Sequence, residues 1–265
     1  MGRPKRRRLG QNFLVDRDVA ERIAALLADD PPRVLEIGPG RGALTEPLLE
    51  RFDRVLALEL DENMVPPLIQ RFGGLGLHVQ HADALSIDLD SLLAAESPWQ
   101  AASNLPYSVG TAILRRLLPR HDLFTRIVVM LQSEVARRVV AEPAGSGHGL
   151  LALERAAYAD ARLLFEVPAR SFRPPPKVVS SVLQLDLRRP EHTADELSAA
   201  FSLAASALTR PRKVLTNALA RGVEVDRIEA AGLDPSARPG TVPLEGWVRL
   251  AAVLQESHKS VDGGV

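Results

Sequence analysis

The chain has 265 residues, 46% apolar and 25% charged, with 33 basic side chains balanced by 33 acidic ones. That size fits one large domain or a domain with a small appendage, and the neutral sum gives no hint of a polyanionic partner. The absence of cysteine excludes disulfides and thiolate metal sites, and of the six histidines only His78 and His81 lie close together, so no metal site is expected.

Charge is unevenly spread, however. Arg3, Lys5, Arg6, Arg7 and Arg8 make a basic arm without an acid, and Arg210, Arg212 and Lys213 form a second cluster. No apolar run has the length of a membrane span. Behind the arm, Gln11, Asn12, Asp16, Arg17 and Asp18 interrupt any signal-peptide core, so a cytoplasmic protein without a membrane partner is expected.

In chain order, Val19, Ile23, Leu26 and Leu27 fall on one helical face, with Asp16 or Asp18 to cap it. Arg33 to Ile37 reads as a short buried strand running into a glycine-rich turn. Leu44, Leu48, Leu49 and Phe52 mark a helix, and Val55 to Leu60 a second strand. Further strands are predicted at Leu77 to Gln80, Trp99 to Ser103 and Ile127 to Leu131, with helices at about 109 to 119 and about 133 to 141. Such alternation predicts an α/β domain on a mostly parallel sheet. Ala161 to Val167 and Ser180 to Leu187 follow without a long helix between them, which suits an antiparallel pair at the sheet edge. Beyond Arg188 only helices are predicted: Glu196 to Leu208, Lys213 to Arg221, Asp226 to Ala231 and Leu244 to Gln255, with Ser257 to Val265 frayed. The expected division is an arm and closing motif at 1–15, an α/β domain at 16–189 and a small all-helical domain at 190–265.

Glu36-Ile37-Gly38-Pro39-Gly40-Arg41-Gly42 stands where the first of these strands meets a helix. Glycines there let a backbone approach a ligand, and a helix N-terminus behind them offers unpaired N–H groups. Alone, the motif is also a plain tight turn or a dinucleotide fingerprint. Glu59 ends the next strand, where an acid can accept from both hydroxyls of a ribose, and Asp83 follows the third, where a carboxylate can accept from an adenine amine. Three such features at the C-terminal ends of successive strands coincide with the place where open α/β sheets bind ligands.

Asn104-Leu105-Pro106-Tyr107 follows the fourth strand at that same edge. Asn and Pro are ordinary turn formers, but the combination also suits one reaction. The lone pair of an exocyclic adenine amine is delocalised into the ring. The Asn104 amide oxygen and a backbone carbonyl near Leu105 could each accept one of its hydrogens and localise that pair. Pro106 stiffens the turn, and Tyr107 offers a face for the base to stack on. No strong base is needed if the methyl leaves a sulfonium, so alignment would supply most of the catalysis.

On these residues the chain resembles the ribosomal RNA adenine N(6)-dimethyltransferases, most closely the KsgA type. Gly10 to Leu14 is similar to the family's opening motif, Gly38 to Gly42 to its cofactor loop, Glu59 to its ribose ligand, Asp83-Ala84 to its adenine ligand and Asn104 to Tyr107 to its catalytic motif. Gln132 to Ala136 and Phe172 to Val178 also resemble family segments. The resemblance implies a Rossmann-like class I methyltransferase sheet with a helical RNA-docking tail. It implies S-adenosyl-L-methionine held by Asn12, Leu14, Gly38, Gly40, Glu59, Leu60, Asp83, Ala84 and Asn104. It further implies catalysis by Asn104, Leu105, Tyr107 and Phe172, with Phe172 as a second stacking partner for a flipped adenine. The implied substrate is ribosomal RNA in the small subunit or its precursor, acted on by a monomer.

Ser108-Val109-Gly110, His148 and Arg212-Lys213-Val214-Leu215 depart from the family pattern, at positions tied more to substrate docking than to chemistry. The alternatives are an Erm-like enzyme acting on large-subunit RNA, a ribosome-assembly or transcription factor that has lost the chemistry, and an NAD enzyme. Intact Asn104 and Tyr107 argue against the last two.

Overall fold

The computed structural model describes residues 12–145, 147–219 and 223–262, with side chains described up to residue 256. The basic arm, Gly10 and Gln11 lie outside the described residues, as does Arg221. The described chain forms two compact units. One comprises the residues up to Ala136 together with Asp160–Arg188, and the other Arg137–Ala159 together with the residues from Arg189 onward. The expected single boundary near Pro190 therefore contrasts with three crossings between the units.

The first unit holds a seven-stranded sheet. Its strands are β2 (Arg33–Ile37), β3 (Arg54–Glu59), β4 (Leu77–His81), β5 (Trp99–Asn104), β6 (Phe124–Gln132), β7 (Ala159–Val167) and β9 (Ser180–Leu187), in the order β4-β3-β2-β5-β6-β9-β7. The five strands β4, β3, β2, β5 and β6 are parallel, whereas β9 runs antiparallel to β6. Burial explains the composition: Val34, Leu35, Ile37 and Glu36 are all buried, as expected of a strand covered on both faces. Strand order reverses between β2 and β5, so the carboxyl ends of those two strands flank a crevice.

Around the sheet lie α1 (Arg17–Ala24), α2 (Thr45–Leu49), α3 (Val65–Phe72), α4 (Leu89–Leu93), α5 (Gly110–Leu117) and α6 (Ser133–Val139). Asp16 caps α1 by accepting from the Val19 N–H at 3.3 Å. Strand β1 (Phe13–Leu14) pairs antiparallel with β8 (Phe172–Arg173) in a separate two-stranded ribbon that the periodicity did not indicate. Two residues are too few to display a period of two. The core of this unit gathers Ile23, Leu48, Val55, Val128 and Phe172.

The second unit is helical: α7 (Leu150–Tyr158), α8 (Ala194–Leu208), α9 (Leu215–Ala218), α10 (Val225–Ala230) and α11 (Leu244–Asp262). A capping box between Thr193 and Glu196 starts α8. Two helices differ from the reading of the sequence. The segment from Lys213 becomes only the one-turn α9, because Leu219 turns extended at its end. Helix α11 continues through Asp262 where fraying was expected from Ser257. Leu153, Ala204, Leu215, Ile228 and Trp247 form the core of this unit. His148 has its Nδ1 3.2 Å from the Ala141 carbonyl and a buried Nε2 with no hydrogen-bond partner among the described residues. Among the described residues, no helix is long and apolar enough to cross a membrane.

Candidate active site

The crevice at the reversal point is a pocket lined by residues of the opening motif, the glycine turn, the two strand-end acids and the Asn104 turn: Leu14, Gly38, Gly40, Glu59, Leu60, Asp83, Ala84, Asn104 and Pro106. Topology brings them together. β2, β3 and β4 end side by side, so the turns after them meet, and β5 delivers Asn104 from the opposite flank of β2.

The glycine turn leaves β2 with Gly38, Gly40 and Gly42 at φ of 68°, 56° and 82°, a left-handed course that side chains resist. At Gly40 an added Cβ would also stand 3.0 Å from the Phe13 ring, so the turn must be bare for β1 to lie against it. The helix after the turn begins only at Thr45 and is five residues long. A ligand here therefore meets the turn itself, and not a helix N-terminus as the sequence suggested.

Glu59, almost wholly buried, holds this turn. One carboxylate oxygen accepts from the Gly40 N–H at 3.0 Å and the other from the Asp61 N–H at 2.8 Å. Asp83 is exposed at the rim and accepts from the Leu85 N–H at 2.9 Å. Leu60 and Leu85, both large apolar side chains left exposed, line the same part of the pocket.

Asn104 donates from Nδ2 to the Asn12 carbonyl at 3.3 Å. With its nitrogen committed, Oδ1 is the atom left to accept from a ligand. The Leu105 side chain is buried, and its N–H donates to the Met130 carbonyl at 3.2 Å. The Pro106 carbonyl accepts from Val109 and Gly110, which closes the turn. Tyr107 is half-buried, and its hydroxyl lies 2.6 Å from the Ser180 hydroxyl. Phe172 is fully buried in the core and lies outside the pocket lining. Asn12, Leu105 and Tyr107 adjoin the pocket wall without forming part of its lining.

Three residues were missed by the reading of the sequence. Glu36, buried on β2, lines the pocket and accepts from the Thr45 hydroxyl at 2.7 Å. Burial pushes its carboxyl up to about 8, the nearby Glu59 charge adds to that, and the Thr45 hydrogen bond opposes it. A lone carboxylate inside an apolar strand was the available signal. Arg41 lines the pocket with its guanidinium over the Phe13 ring, 4.7 Å from the centroid. Arg116, on α5, donates to the carbonyls of Ala84 (2.7 Å) and Ile87 and so braces the Asp83 loop. Nothing in the sequence distinguishes it from Arg115.

A family profile described as ribosomal RNA adenine dimethylase matches residues 2–256. The chain is 40% identical over 245 residues to ribosomal RNA small subunit methyltransferase A of Phenylobacterium zucineum, covering 91% of this chain and 85% of that protein. It is 38% identical to the protein of that name from Geobacter metallireducens, covering 94% of this chain and 95% of the relative. The crystal structure of 23S rRNA methyltransferase ErmE superimposes with a TM-score of 0.70 at 26% identity, over 92% of this chain and all of that one. A dimethyladenosine transferase from Plasmodium falciparum shares the fold at a TM-score of 0.74 and 22% identity, over 93% of this chain and 98% of that one.

Proposed function

The chain belongs to the ribosomal RNA adenine dimethylase family, and from that premise we propose that it dimethylates the exocyclic amines of adenines in small-subunit ribosomal RNA, as a monomer. The observation that carries this reading is the arrival of Asn104 at the pocket that Gly38, Gly40, Glu59 and Asp83 also line.

Those residues fit S-adenosyl-L-methionine. At Gly38, where a Cβ would stand, there is open space within 4 Å, which gives a ligand access to the backbone. Glu59 has free lone pairs for the ribose hydroxyls, since each carboxylate oxygen spends one on an N–H. Asp83 would accept from the adenine amine, with Leu60 and Leu85 as apolar flanks to the ring and Ala84 beside it. Leu14 and the Asn12 segment would close the methionine end. When bound, the cofactor supplies an electrophilic methyl group on a sulfonium that departs as a neutral thioether.

The protein's part is positioning. Asn104 Oδ1 accepts one hydrogen of the target amine and the Leu105 carbonyl the other, since the Pro106 carbonyl is already taken within the turn. The amine lone pair is thereby turned into the pocket. Tyr107 supplies the stacking face for the extruded base. Phe172 is left out of this platform in the conformation described, because no part of its ring is exposed.

Ordered RNA phosphates would be met by basic side chains such as Arg173 and Lys177, and by the N-terminal arm outside the described residues. The decisive experiment offers labelled cofactor with undermethylated small subunits and, separately, large subunits, and maps the labelled nucleotides. Label on two methyls per adenine in small-subunit RNA is expected. Label confined to large-subunit RNA would favour the reading suggested by the ErmE likeness instead.

A further inference from the structure

Ser180 opens β9 completely buried, and its hydroxyl lies 2.6 Å from that of Tyr107. Both partners hang from the same strand. Leu105, two residues before the tyrosine, donates to Met130 of β6, while Ser180 pairs in register with Gln132 of β6. The neighbouring Ser181 hydroxyl is 2.7 Å from the Ser133 hydroxyl, and the Ser133 N–H donates to the Val179 carbonyl at 3.0 Å. Ser180 is therefore a fixed point, and the tyrosine is the element whose ring could turn.

We propose that Ser180 is a positioning residue for methyl transfer: it anchors the Tyr107 hydroxyl so that the ring, three residues after Asn104, is held in one place. The hydroxyl is thus directed at the protein and has no task toward the substrate. This rests on the reading of Tyr107 as the platform for the target base. A tyrosine ring swings about its first side-chain torsion, which moves the phenol oxygen, so a hydrogen bond at that far end restrains where the ring lies. Released, the ring would present the base over a range of positions, and the in-line alignment would suffer while the cofactor side, built on β2, β3 and β4, would not. Burial raises the Tyr107 phenol above its ordinary value, and the Ser180 hydrogen bond draws it back down.

The test is a double-mutant cycle of Ser180→Ala and Tyr107→Phe, with kcat and KM measured on undermethylated small subunits. Each single variant should lower kcat by roughly three- to tenfold, the worth of one net hydrogen bond. The double variant should be no slower than the worse single. Calorimetric affinity for S-adenosylhomocysteine should stay within about twofold of the parent, as expected of sites that do not share partners. Multiplying effects, or a Ser180→Ala enzyme with the parent kcat, would overturn the proposal.

A second readout separates anchoring from general loosening. The chain has two tyrosines, so a Tyr158→Phe background leaves only Tyr107 to titrate by ultraviolet absorbance. Adding Ser180→Ala should shift that ionisation to higher pH. A shift to lower pH, as when the phenol becomes exposed, would also overturn the proposal. Tyr107→Ala distinguishes the two levels of inference. Full turnover in that variant would remove the platform reading itself, whereas its loss beside an unaffected Ser180→Ala would remove only the anchoring.

Discussion

On the β2–β3–β4 side the pocket is built from bare backbone and carboxylates. The glycine turn is held by Glu59, and Asp83 stands exposed at the rim. On the β5–β6–β9 side a stiff turn brings Asn104 and Pro106 to the pocket, and behind them Leu105 is buried and Tyr107 is half-buried on a hydroxyl contact. The first side is open and prepared to bind, while the second keeps most of its apolar surface covered. Such a contrast suits a site whose small ligand meets a largely formed cleft, and whose larger substrate supplies its own apolar surface, an unstacked base, on arrival.

Variants can break this comparison by hitting one side only. The largest effect should follow Asn104→Ala. Methylation should fall roughly a hundredfold or more, the usual scale for losing one polar group aimed at the reacting atoms. S-adenosylhomocysteine affinity, read by calorimetry, should remain close to the parent. A comparable loss of affinity would mean that the two sides are not separable at Asn104.

Glu59→Ala should act the opposite way. Weakening of cofactor affinity by about tenfold to a hundredfold is expected from losing hydrogen bonds to a charged acceptor, with turnover at saturating cofactor much less changed. Arg116→Met removes only the brace on the Asp83 loop, so its cofactor affinity should drop by about three- to tenfold. An unchanged dissociation constant would show that the loop holds its shape without the arginine.

A last effect concerns stability and leaves the two-sided chemistry aside. Burial holds the Glu36 carboxyl protonated to about 8, against an ordinary value of 4.5. The folded chain thus keeps a proton that the unfolded chain releases, so this contribution to stability is complete below the ordinary value. It is lost progressively as pH rises through the folded one. Glu36→Gln carries no such proton. Its denaturant midpoint should fall less than the parent's between about pH 5 and about pH 8.5, and parallel curves would refute the assignment.

The two sides also differed in how well they could be read from the sequence. β2 was plain, because a run from Arg33 to Ile37 that ends in three glycines has few other structures open to it. Glu59 could be placed because it ends a visibly apolar strand, and Asp83 because it follows the alternation of Leu77 and Val79. The base side was legible only through Asn104 to Tyr107. Ser180 looked like any residue entering a strand, and its meaning depends on a contact with a residue far away in sequence. The buried state of Phe172 was equally hidden, since residue type alone does not separate a core aromatic from a platform. Helix α7 went unseen, and its nine residues lie in the Arg137–Ala159 segment of the helical unit, which in sequence stands between two stretches of the other.

The β1–β8 ribbon has a consequence for turnover. Phe13 and Leu14 line the pocket, and among the described residues the backbone seam behind them is short: two paired residues on each strand and a Val15 to Ser171 bond, beside the Ser171–Asp16 contact. Placing two methyls on one nitrogen requires spent cofactor to be exchanged for fresh between transfers. A front wall with so short a seam can yield for that exchange while the parallel strands behind it stay paired. The seam joins the pocket wall at Phe13 and Leu14 directly to the segment carrying Phe172.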